Sequence, residues 1–368
     1  MSKLVFFCAG ARLETLPTTK VRNILVNIVD SGINDRAIDN TKKLFWRAGA
    51  KTIMCDSGGF QIRTAERNNK KMTFDPNLPL MRSKSAINIL PDHVVAVVCK
   101  LQPQPTIMTA LNYPIRESSK VPNPEQEFRR KLEFNIKWAW ETASLREKHC
   151  PHIQLFIPVQ CYNLDQFETF WNSIKGIRFD GLSFPVRNLN FSEIALFLLS
   201  FRQKGVRKVH ILGSSSFFKI ALAAYFARHL FEWVSFDATT WRIQAEKHRY
   251  LDPDNLSSKH VGSKVVIDES VPMVCQCDAC RDMTFTDIKN LPDKENLHLL
   301  RNHNFFVTEK LTQEMFEKAE TWPTLERFLR QSGRRAREVA ELIDCLSMVD
   351  LLKNEDINVL KPLLGVAA

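Results

Sequence analysis

The sequence predicts an α/β protein: a (β/α)8 barrel followed by a small cysteine-bearing subdomain and terminal helices. Short apolar runs rich in β-branched residues recur through residues 1–250, and amphipathic stretches separate several of them. Beyond about Tyr250 this alternation stops, and a polar segment leads to three closely spaced cysteines. We therefore place the barrel at residues 1–250, and the subdomain with C-terminal helices that pack on the barrel at residues 251–368.

Eight runs are predicted to be buried parallel strands, because continuous apolar, β-branched sequence bounded by turn residues is typical of strands covered on both faces. They span residues 3–7, 52–55, 93–98, 106–111, 153–159, 181–186, 209–213 and 233–236. Helices are predicted over residues 124–148, 164–174, 191–203, 217–229 and 324–353. Too few residues separate Val98 from Thr106 for a connecting helix there.

Composition sets the class of protein and of partner. Hydrophobic residues are 44% and charged residues 25%, which excludes disordered and fibrous classes. The net charge of +10 favours a polyanionic partner such as nucleic acid. The N-terminal apolar run is shorter than a signal peptide requires, and no stretch is long enough to cross a bilayer. With nine cysteines, three of them clustered, we expect a cytoplasmic protein without membrane contact.

Three cysteines within six residues predict a metal site. Cys275, Cys277 and Cys280 supply thiolates that can converge on one ion, and a histidine would complete a closed tetrahedral zinc shell of the structural type. We take His303 as the fourth ligand, but His298 is closer to the cysteines and spacing alone does not separate the two. Burial as small side chains, the alternative for the cysteines, does not explain their spacing.

Polar side chains follow several predicted strands, at the ends where barrel enzymes build their sites. They are Asp56, Asn112, Gln160 and Asp237. Asp56 opens the segment Asp-Ser-Gly-Gly-Phe-Gln, whose glycines would let the backbone approach a flat ligand. Taken alone, this segment could equally be a tight turn, and Asp237 a surface residue or a helix cap.

Together, these segments resemble the signatures of a known family, the tRNA-guanine transglycosylases. The family pattern is Asp-Ser-Gly-Gly-Phe-Gln near the N-terminus and Cys-x-Cys-x-x-Cys with a later histidine near the C-terminus, and both occur here in that order. The resemblance continues through residues 157–160, 179–181, 210–213 and 235–237. It covers most of the chain from Lys3 to about Asn304.

The resemblance implies a (β/α)8 barrel with a zinc subdomain that exchanges guanine for a 7-deazaguanine base in a ping-pong reaction. Asp237 would be the nucleophile that attacks C1′ of the nucleotide, displacing guanine and leaving a covalent sugar–enzyme intermediate, as in retaining glycosidases. Asp56 would protonate the departing base and deprotonate the incoming one.

The resemblance also implies a base-binding site. Phe60 would stack on the base with Leu212 on its opposite face, and Gln160 would hydrogen-bond the base edge. Without the resemblance, we would assign Phe60 and Leu212 to core packing, and Gln160 would be a polar residue at the end of a strand. The other substrate-binding residues implied are Ser57, Gly58, Asn112 and Gly213.

The sequence departs from the tRNA enzymes at the predicted floor of this pocket. Pro185 and Val186 stand where those enzymes have a Gly-Gly-Leu turn whose backbone contacts the base, and proline has no N–H to donate. Asn112 stands where they have a guanine-reading aspartate, although Asp92 is a second candidate for that role. An amide fits the N1–H and 2-amino edge of guanine less well than a carboxylate does.

Further differences follow the nucleophile. Residues 238–242, Ala-Thr-Thr-Trp-Arg, stand where bacterial tRNA enzymes have a basic Pro-Thr-Arg loop, and we expect no counterpart of the RNA-binding C-terminal domain of archaeal members. These changes resemble the DNA 7-deazaguanine transglycosylases of bacterial modification systems and phages, so we favour DNA over tRNA as the polymer. A catalytically silent partner subunit is the rival hypothesis, and the presence of both Asp56 and Asp237 argues against it.

Four arginines are predicted to contact nucleic acid through its phosphates. They are Arg242, Arg330, Arg334 and Arg335. The last three would equally suit a solvated helical face. A duplex would have to extrude its guanine, and Trp241 or Arg242 would then fill the vacated space. We also expect a bacterial or phage-encoded protein, with a homodimer as one form of assembly.

Overall fold

The computed structural model describes residues 3–31, 34–59, 61–62, 72–73, 80–82, 85–87, 89–116, 121–187, 189–261, 275, 277–281 and 283–355. In chain order its strands are β1 Lys3–Ala9, β2 Asn23–Asn27, β3 Thr52–Asp56, β4 Met72–Thr73, β5 Leu80–Arg82, β6 Ser85–Ile87, β7 Ile107–Thr109, β8 Gln154–Pro158, β9 Gly181–Pro185, β10 Lys208–Leu212, β11 Trp233–Ala238, β12 Arg249–Leu251 and β13 Ser258–His260.

The helices alternate with the barrel strands and then continue alone. They are α1 Ile28–Ser31, α2 Asp35–Ala48, α3 Pro91–Lys100, α4 Pro124–His149, α5 Leu164–Ile174, α6 Phe191–Gln203, α7 Phe217–His229, α8 Thr240–Glu246, α9 Phe285–Asn290, α10 Asp293–Lys318, α11 Trp322–Gln331 and α12 Ala336–Leu352. Among the described residues, no helix combines the length and apolar composition that crossing a membrane requires.

Eight strands close into a parallel barrel in the order β1-β11-β10-β9-β8-β7-β3-β2, which confirms the predicted (β/α)8 fold. Two small antiparallel sheets, β12-β13 and β4-β5-β6, lie outside it. Side-chain caps fix where several of the intervening helices begin. Asn34, Asn123, Asn163 and Asn190 each accept a hydrogen bond from a backbone N–H in the first turn of α2, α4, α5 and α6.

One predicted strand is wrong. Residues 93–98 belong to α3, which starts with Pro91 in its first turn and buries Val94, Val95, Val97 and Val98. A short run of β-branched residues does not by itself distinguish a buried strand from a buried helix, and the proline at a helix start decides it here. The strand that completes the barrel is β2, whose three apolar residues stand between two asparagines. The short gap between Val98 and Thr106 is explained, since α3 is itself the connecting helix.

Other predicted elements agree closely with the structure. Helices α5, α6 and α7 have the predicted bounds, and α4 ends one residue later than predicted. The helix predicted over residues 324–353 is two helices, α11 and α12, separated at Gly333, whose φ of 67° is in the left-handed region.

The chain divides into two compact units. The first comprises Met1–Val21, Leu189–Gly205 and Gly213–Ala368, and the second comprises Arg22–Asn188 and Val206–Leu212. In the second unit, Gly181, the first residue of β9, lies close to the backbone of Lys208. A Cβ on Gly181 would lie 2.7 Å from the carbonyl oxygen of Lys208 and 2.7 Å from the Phe156 ring, so only glycine fits there.

In the first unit, three consecutive polar residues of α10 bind different parts of the chain. Asn302 Oδ1 accepts from both the N–H and the hydroxyl of Thr18. His303 Nε2 bonds to the carbonyl of Leu251 over 2.7 Å. Asn304 accepts from the Leu251 N–H and donates to the carbonyls of Trp241 and Arg249. All three residues of α10 are buried, so their polar groups need these partners.

Candidate active site and metal centre

Asp56, the last residue of β3, has its carboxylate oriented by two donors. The Asn27 side-chain amide donates to Oδ2 over 2.8 Å, and the Thr109 hydroxyl donates to Oδ1 over 3.4 Å. Asn27 is itself fixed, because its Oδ1 accepts from the N–H of Val29. Thr109 Oγ1 also accepts from the N–H of Ser57 over 2.9 Å. Three adjacent strand ends, those of β2, β3 and β7, therefore set the direction of one carboxylate.

The residues after Asp56 pack tightly against their neighbours. Ser57 is fully buried, and its hydroxyl lies 2.9 Å from the carbonyl of Ala110 and 3.3 Å from Oδ1 of Asn112. Gly58 has φ 103°, and a Cβ there would overlap the side chain of Val29. A Cβ on Gly59 would lie 2.7 Å from Asn112 Oδ1. Both glycines are required for this close packing against Val29 and Asn112.

Asn112 lies beside this loop, and both Asn112 and Gln160 are buried in the second unit. Gln160 Oε1 accepts from the N–H of Ile115 over 3.3 Å. Asp92, the other candidate for reading the base edge, is exposed in the first turn of α3 and accepts from the N–H of His93. The structure thus brings Asn112, and not Asp92, next to Ser57. Phe60 lies outside the described residues.

Asp237 is the next-to-last residue of β11, in the first unit. Its Oδ1 accepts from the backbone N–H of Gly213 over 2.7 Å. Gly213 comes directly after β10, whose last residue is Leu212, and has φ 68°. Ser215 donates to Thr240 over 2.8 Å, which fixes the loops after β10 and β11 to each other. The carboxylate is half-buried.

The arginines predicted to contact phosphates have other partners. Arg242 pairs with Glu246 over 2.9 Å, Arg330 with Glu326 over 2.7 Å, and Arg335 with Glu338 over 3.5 Å. Arg334 lies over the ring of Phe218, 5.5 Å from its centre. The pairs of Arg330 and Arg335 lie at the surface, where ion pairs contribute little to stability.

Trp241, the alternative to Arg242 for filling the space of an extruded base, is fully buried in the first unit. Its indole N–H donates to the carbonyl of Ala9 over 3.2 Å, and its ring contacts Phe305 edge-on. Because the indole is part of the core, only Arg242 of the two is accessible.

Cys275, Cys277, Cys280 and His303 form a buried group whose ligand atoms all lie within 4.8 Å of one another. The Nδ1 of His303 is 3.6 Å from the sulfur of Cys277 and 3.4 Å from that of Cys280. His298, on the same helix, is exposed and is not part of the group. The structure therefore brings together the four residues that the sequence predicts as ligands.

The surroundings of this group suit a metal ion. The Leu251 carbonyl, 2.7 Å from Nε2 of His303, would accept a hydrogen bond from a proton held on that nitrogen, and the lone pair of Nδ1 would then point at the thiols. Histidines that bind metals commonly have such a hydrogen bond on the ring nitrogen that does not bind the ion. Tyr250 stacks on the imidazole with ring centres 3.8 Å apart. Hydrogen bonds among the sulfurs lower the pKa of the Cys275 thiol and raise the pKa of Cys280.

Two residues that hold Asp56 were not singled out from the sequence, Asn27 and Thr109. Each is the last residue of a barrel strand, β2 and β7. Strand-end position is the signal that could have found them. This signal identifies Asn27 only where β2 is recognised as a strand, and the sequence instead predicts the eighth strand at residues 93–98.

Fold and site define a (β/α)8 barrel with carboxylates at two strand ends and a buried Cys3His group. No family model matches the chain. Over 142 residues it is 27% identical to the tRNA-guanine(15) transglycosylase of Pyrococcus abyssi (strain GE5 / Orsay). The similar part spans 38% of this chain and 22% of the length of that relative. This partial similarity supports the resemblance to the tRNA-guanine transglycosylases.

Proposed function

We propose that this chain is a nucleic-acid guanine transglycosylase, a pentosyltransferase that works through Asp237 and Asp56. The observation that carries the proposal is the position of these two carboxylates. Asp56 ends β3 and Asp237 is one residue from the end of β11, and carboxyl ends of barrel strands are where barrel enzymes place catalytic groups. The similarity to the Pyrococcus abyssi relative supports base exchange as the reaction.

In the first half of the proposed reaction, a carboxylate oxygen of Asp237 attacks C1′ of the nucleotide. The new C1′–O bond forms as the bond from C1′ to N9 of guanine breaks, and its electron pair leaves with the base. Asp56 in its acid form donates a proton to the departing guanine. The bond from Gly213 to Oδ1 supports this role for Asp237, because it fixes the rotation of the carboxylate.

In the second half, Asp56 accepts a proton from the incoming base, which we propose is a 7-deazaguanine. That base attacks C1′, and the bond to Asp237 breaks with its electron pair returning to the carboxylate. Splitting one displacement into two through a covalent intermediate preserves the configuration at C1′.

We propose that Asn112 and Gln160 bind the edge of the base. Each amide oxygen would accept from N1–H or the 2-amino group of guanine, and each amide NH2 would donate to O6, so two amides together would replace the two acceptors of one carboxylate. Burial of both side chains supports recognition, because polar contacts gain strength away from water. The loop of Ser57 and Gly58 would contact the same base, and Phe60 and Leu212 would stack on its faces.

We propose that Cys275, Cys277, Cys280 and His303 hold a structural zinc ion. When bound, the ion stabilises the fold around it and supplies no reactive group, because four protein ligands leave no coordination position for a substrate. The complete burial of His303 supports this role.

For the polymer, we propose DNA, with tRNA as the second candidate. Asn112, Pro185 and Val186 support DNA, since they replace groups with which the tRNA enzymes contact the base. The Pyrococcus abyssi relative, a tRNA-guanine(15) transglycosylase, supports tRNA. The net charge of +10 fits either polyanion.

Transfer of labelled base tests the proposal. The protein is incubated with radiolabelled guanine or a labelled 7-deazaguanine and either duplex DNA or tRNA, with Asp237→Asn as the matched control. We expect label in DNA from the wild type alone. Label in tRNA alone would select the second candidate. Absence of label from both polymers, or equal label from Asp237→Asn, would refute the proposed reaction.

A further inference from the structure

Side chains bond to the chain that continues from β7, residues 111–116. We call these residues the base-edge segment, because Asn112 is among them. The N–H of Leu111 donates to Thr142, both backbone groups of Tyr113 bond to Asn135, and the carbonyl of Pro114 accepts from Lys131. The partners of the next two residues are Gln160 for Ile115 and Glu127 for Arg116.

Lys131 is the central partner, and it is fully buried. Its ammonium lies 2.7 Å from the carbonyl of Pro114, 2.8 Å from Oε1 of Glu127, and 4.2 Å from the centre of the Tyr113 ring. These contacts satisfy an ammonium that would otherwise be costly to bury. Pro114 and Tyr113, two of these partners, belong to the base-edge segment.

Glu127 is the counter-charge, and only 4% of it is exposed. Besides Lys131, it pairs with Arg130 over 3.1 Å and with Arg116 over 3.4 Å. Burial raises the pKa of Glu127, but hydrogen bonds and charges from Lys131 and Arg116 outweigh it and lower the pKa to about 2. The carboxylate is therefore ionised at neutral pH, and it links α4 to the end of the base-edge segment.

Asn135 substitutes for a β-strand partner. Its Oδ1 accepts from the N–H of Tyr113 over 2.6 Å, and its Nδ2 donates to the carbonyl of the same residue over 3.1 Å. Residues 127, 131 and 135 are spaced by four, so they lie along one face of α4. Buried ionic groups commonly cost stability relative to apolar side chains of similar size. Stability alone therefore does not account for Glu127, Lys131 and Asn135 in this position.

A further reason lies in Asn112, whose two neighbours in the chain are held by α4. Asn112 lies between Leu111 and Tyr113, both held by α4, and its side-chain oxygen is 3.3 Å from the Ser57 hydroxyl. Gly59 packs so closely that an added Cβ would contact both Asn112 and Pro114. A shift of the segment along α4 would move the Asn112 amide relative to the loop that follows Asp56.

We propose that Lys131, Asn135 and Glu127 are positioning residues that set the Asn112 amide for recognition of the guanine edge. This inference rests on the proposed function. None of the three contacts the base; they act through the backbone of Tyr113 and Pro114. Their effect should therefore fall on base affinity and on discrimination between bases, and much less on the rate of transfer from the bound state.

The test compares Lys131→Met and Asn135→Asp with Glu133→Gln, an exposed position on the same helix. Asn135→Asp keeps the acceptor for the Tyr113 N–H and removes the donor to its carbonyl, so it remains informative where Lys131→Met does not fold. Calorimetry measures the Kd of free guanine and of hypoxanthine, which lacks the 2-amino group. Thermal melting reports folding, and transfer assays give KM and kcat separately.

We expect guanine Kd and KM to rise at least about tenfold in Lys131→Met, with kcat changed less and the preference for guanine over hypoxanthine reduced. Glu133→Gln should match the wild type. Folded variants that melt earlier but keep the wild-type Kd and base preference would overturn the positioning role.

The two proposals fail differently. If the wild type binds guanine but transfers none, the proposed reaction is wrong, and the Kd values of the variants still decide the positioning role. If the wild type transfers guanine and the variants bind it equally well, only the positioning role is wrong. A wild type that binds no guanine refutes both.

Discussion

The backbone N–H of Gly213 donates to Oδ1 of Asp237 over 2.7 Å. The left-handed φ of Gly213 turns the chain sharply after β10 at this point, which an L side chain would resist. A nucleophile with a fixed carboxylate needs no reorganisation before it attacks, so this relationship is what the proposed role of Asp237 requires.

Asp237→Asn should form no covalent adduct with nucleic acid, because an amide is too weak a nucleophile to displace guanine. The measurement is trapping: the variant is mixed with guanine-containing DNA and run on a denaturing gel beside the wild type. An adduct that persists in Asp237→Asn would remove this residue from the nucleophile role and leave Asp56 as the main candidate.

Asp56→Asn should form the adduct very slowly, because Asp237 remains intact while guanine departs without an acid. A substrate whose base leaves readily should partly restore the rate. The comparison is the rate of adduct formation from guanine and from such a base. An equal loss on both substrates would mean that Asp56 has no part in protonating the leaving base.

Asn27→Leu should lower the rate of guanine release by roughly tenfold and move the basic limb of its pH–rate profile to higher pH, because this step needs Asp56 in its acid form. The leucine has a similar size but cannot donate to Oδ2 of Asp56, and this donor favours the charged carboxylate. Asn23→Leu, at the other end of β2, is the matched control. An unshifted profile at reduced rate would indicate a packing defect.

Cys277→Ser and His303→Ala should each lose zinc together with stability, because a structural metal contributes folding free energy directly. His298→Ala should keep its metal, since His298 is exposed and lies outside the Cys3His group. Metal analysis and thermal melting on the same samples check both expectations. Wild-type protein without stoichiometric zinc would refute the metal assignment.

Acid should destabilise the fold through Glu127. Its pKa is lowered from 4.5 to about 2 in the folded chain, so the carboxylate binds a proton more readily after unfolding. The resulting stability, roughly 2–3 kcal/mol, is complete above about pH 4.5 and is lost as the pH falls toward 2. Denaturant unfolding measured across this range should show a shallower loss for Glu127→Gln. If the wild type and Glu127→Gln lose stability equally as the pH falls, Glu127 does not have a lowered pKa in the folded chain.

The barrel could be predicted because most of its strands are continuous apolar runs, such as Gln154–Pro158, and periodic helices such as Phe191–Gln203 separate them. The failures come from short segments. Asn23–Asn27 has too few apolar residues to stand out, and the valines of Pro91–Lys100 suit either structure. The proline at the start of Pro91–Lys100 favours the helix, and the closed barrel has Asn23–Asn27 as its eighth strand.

The candidate site was predicted in part for a related reason. Asp56, Asp237 and the cysteines stand in local patterns that a sequence displays. Lys131 stands in a helix where charged residues usually face solvent, and its burial depends on contacts with a segment many positions away. Side chains that act by supporting another residue leave no local pattern.

The three adjacent residues of α10, Asn302, His303 and Asn304, place a limit on how this chain can change during evolution. Successive residues of a helix point about 100° apart, and here each direction has its own partner. Inserting or deleting one residue just before Asn302 would turn all three side chains away together, separating Thr18, the cysteines and the backbone at Leu251 from the helix. Surface substitutions along α10 should therefore be frequent among relatives, and changes of its length rare.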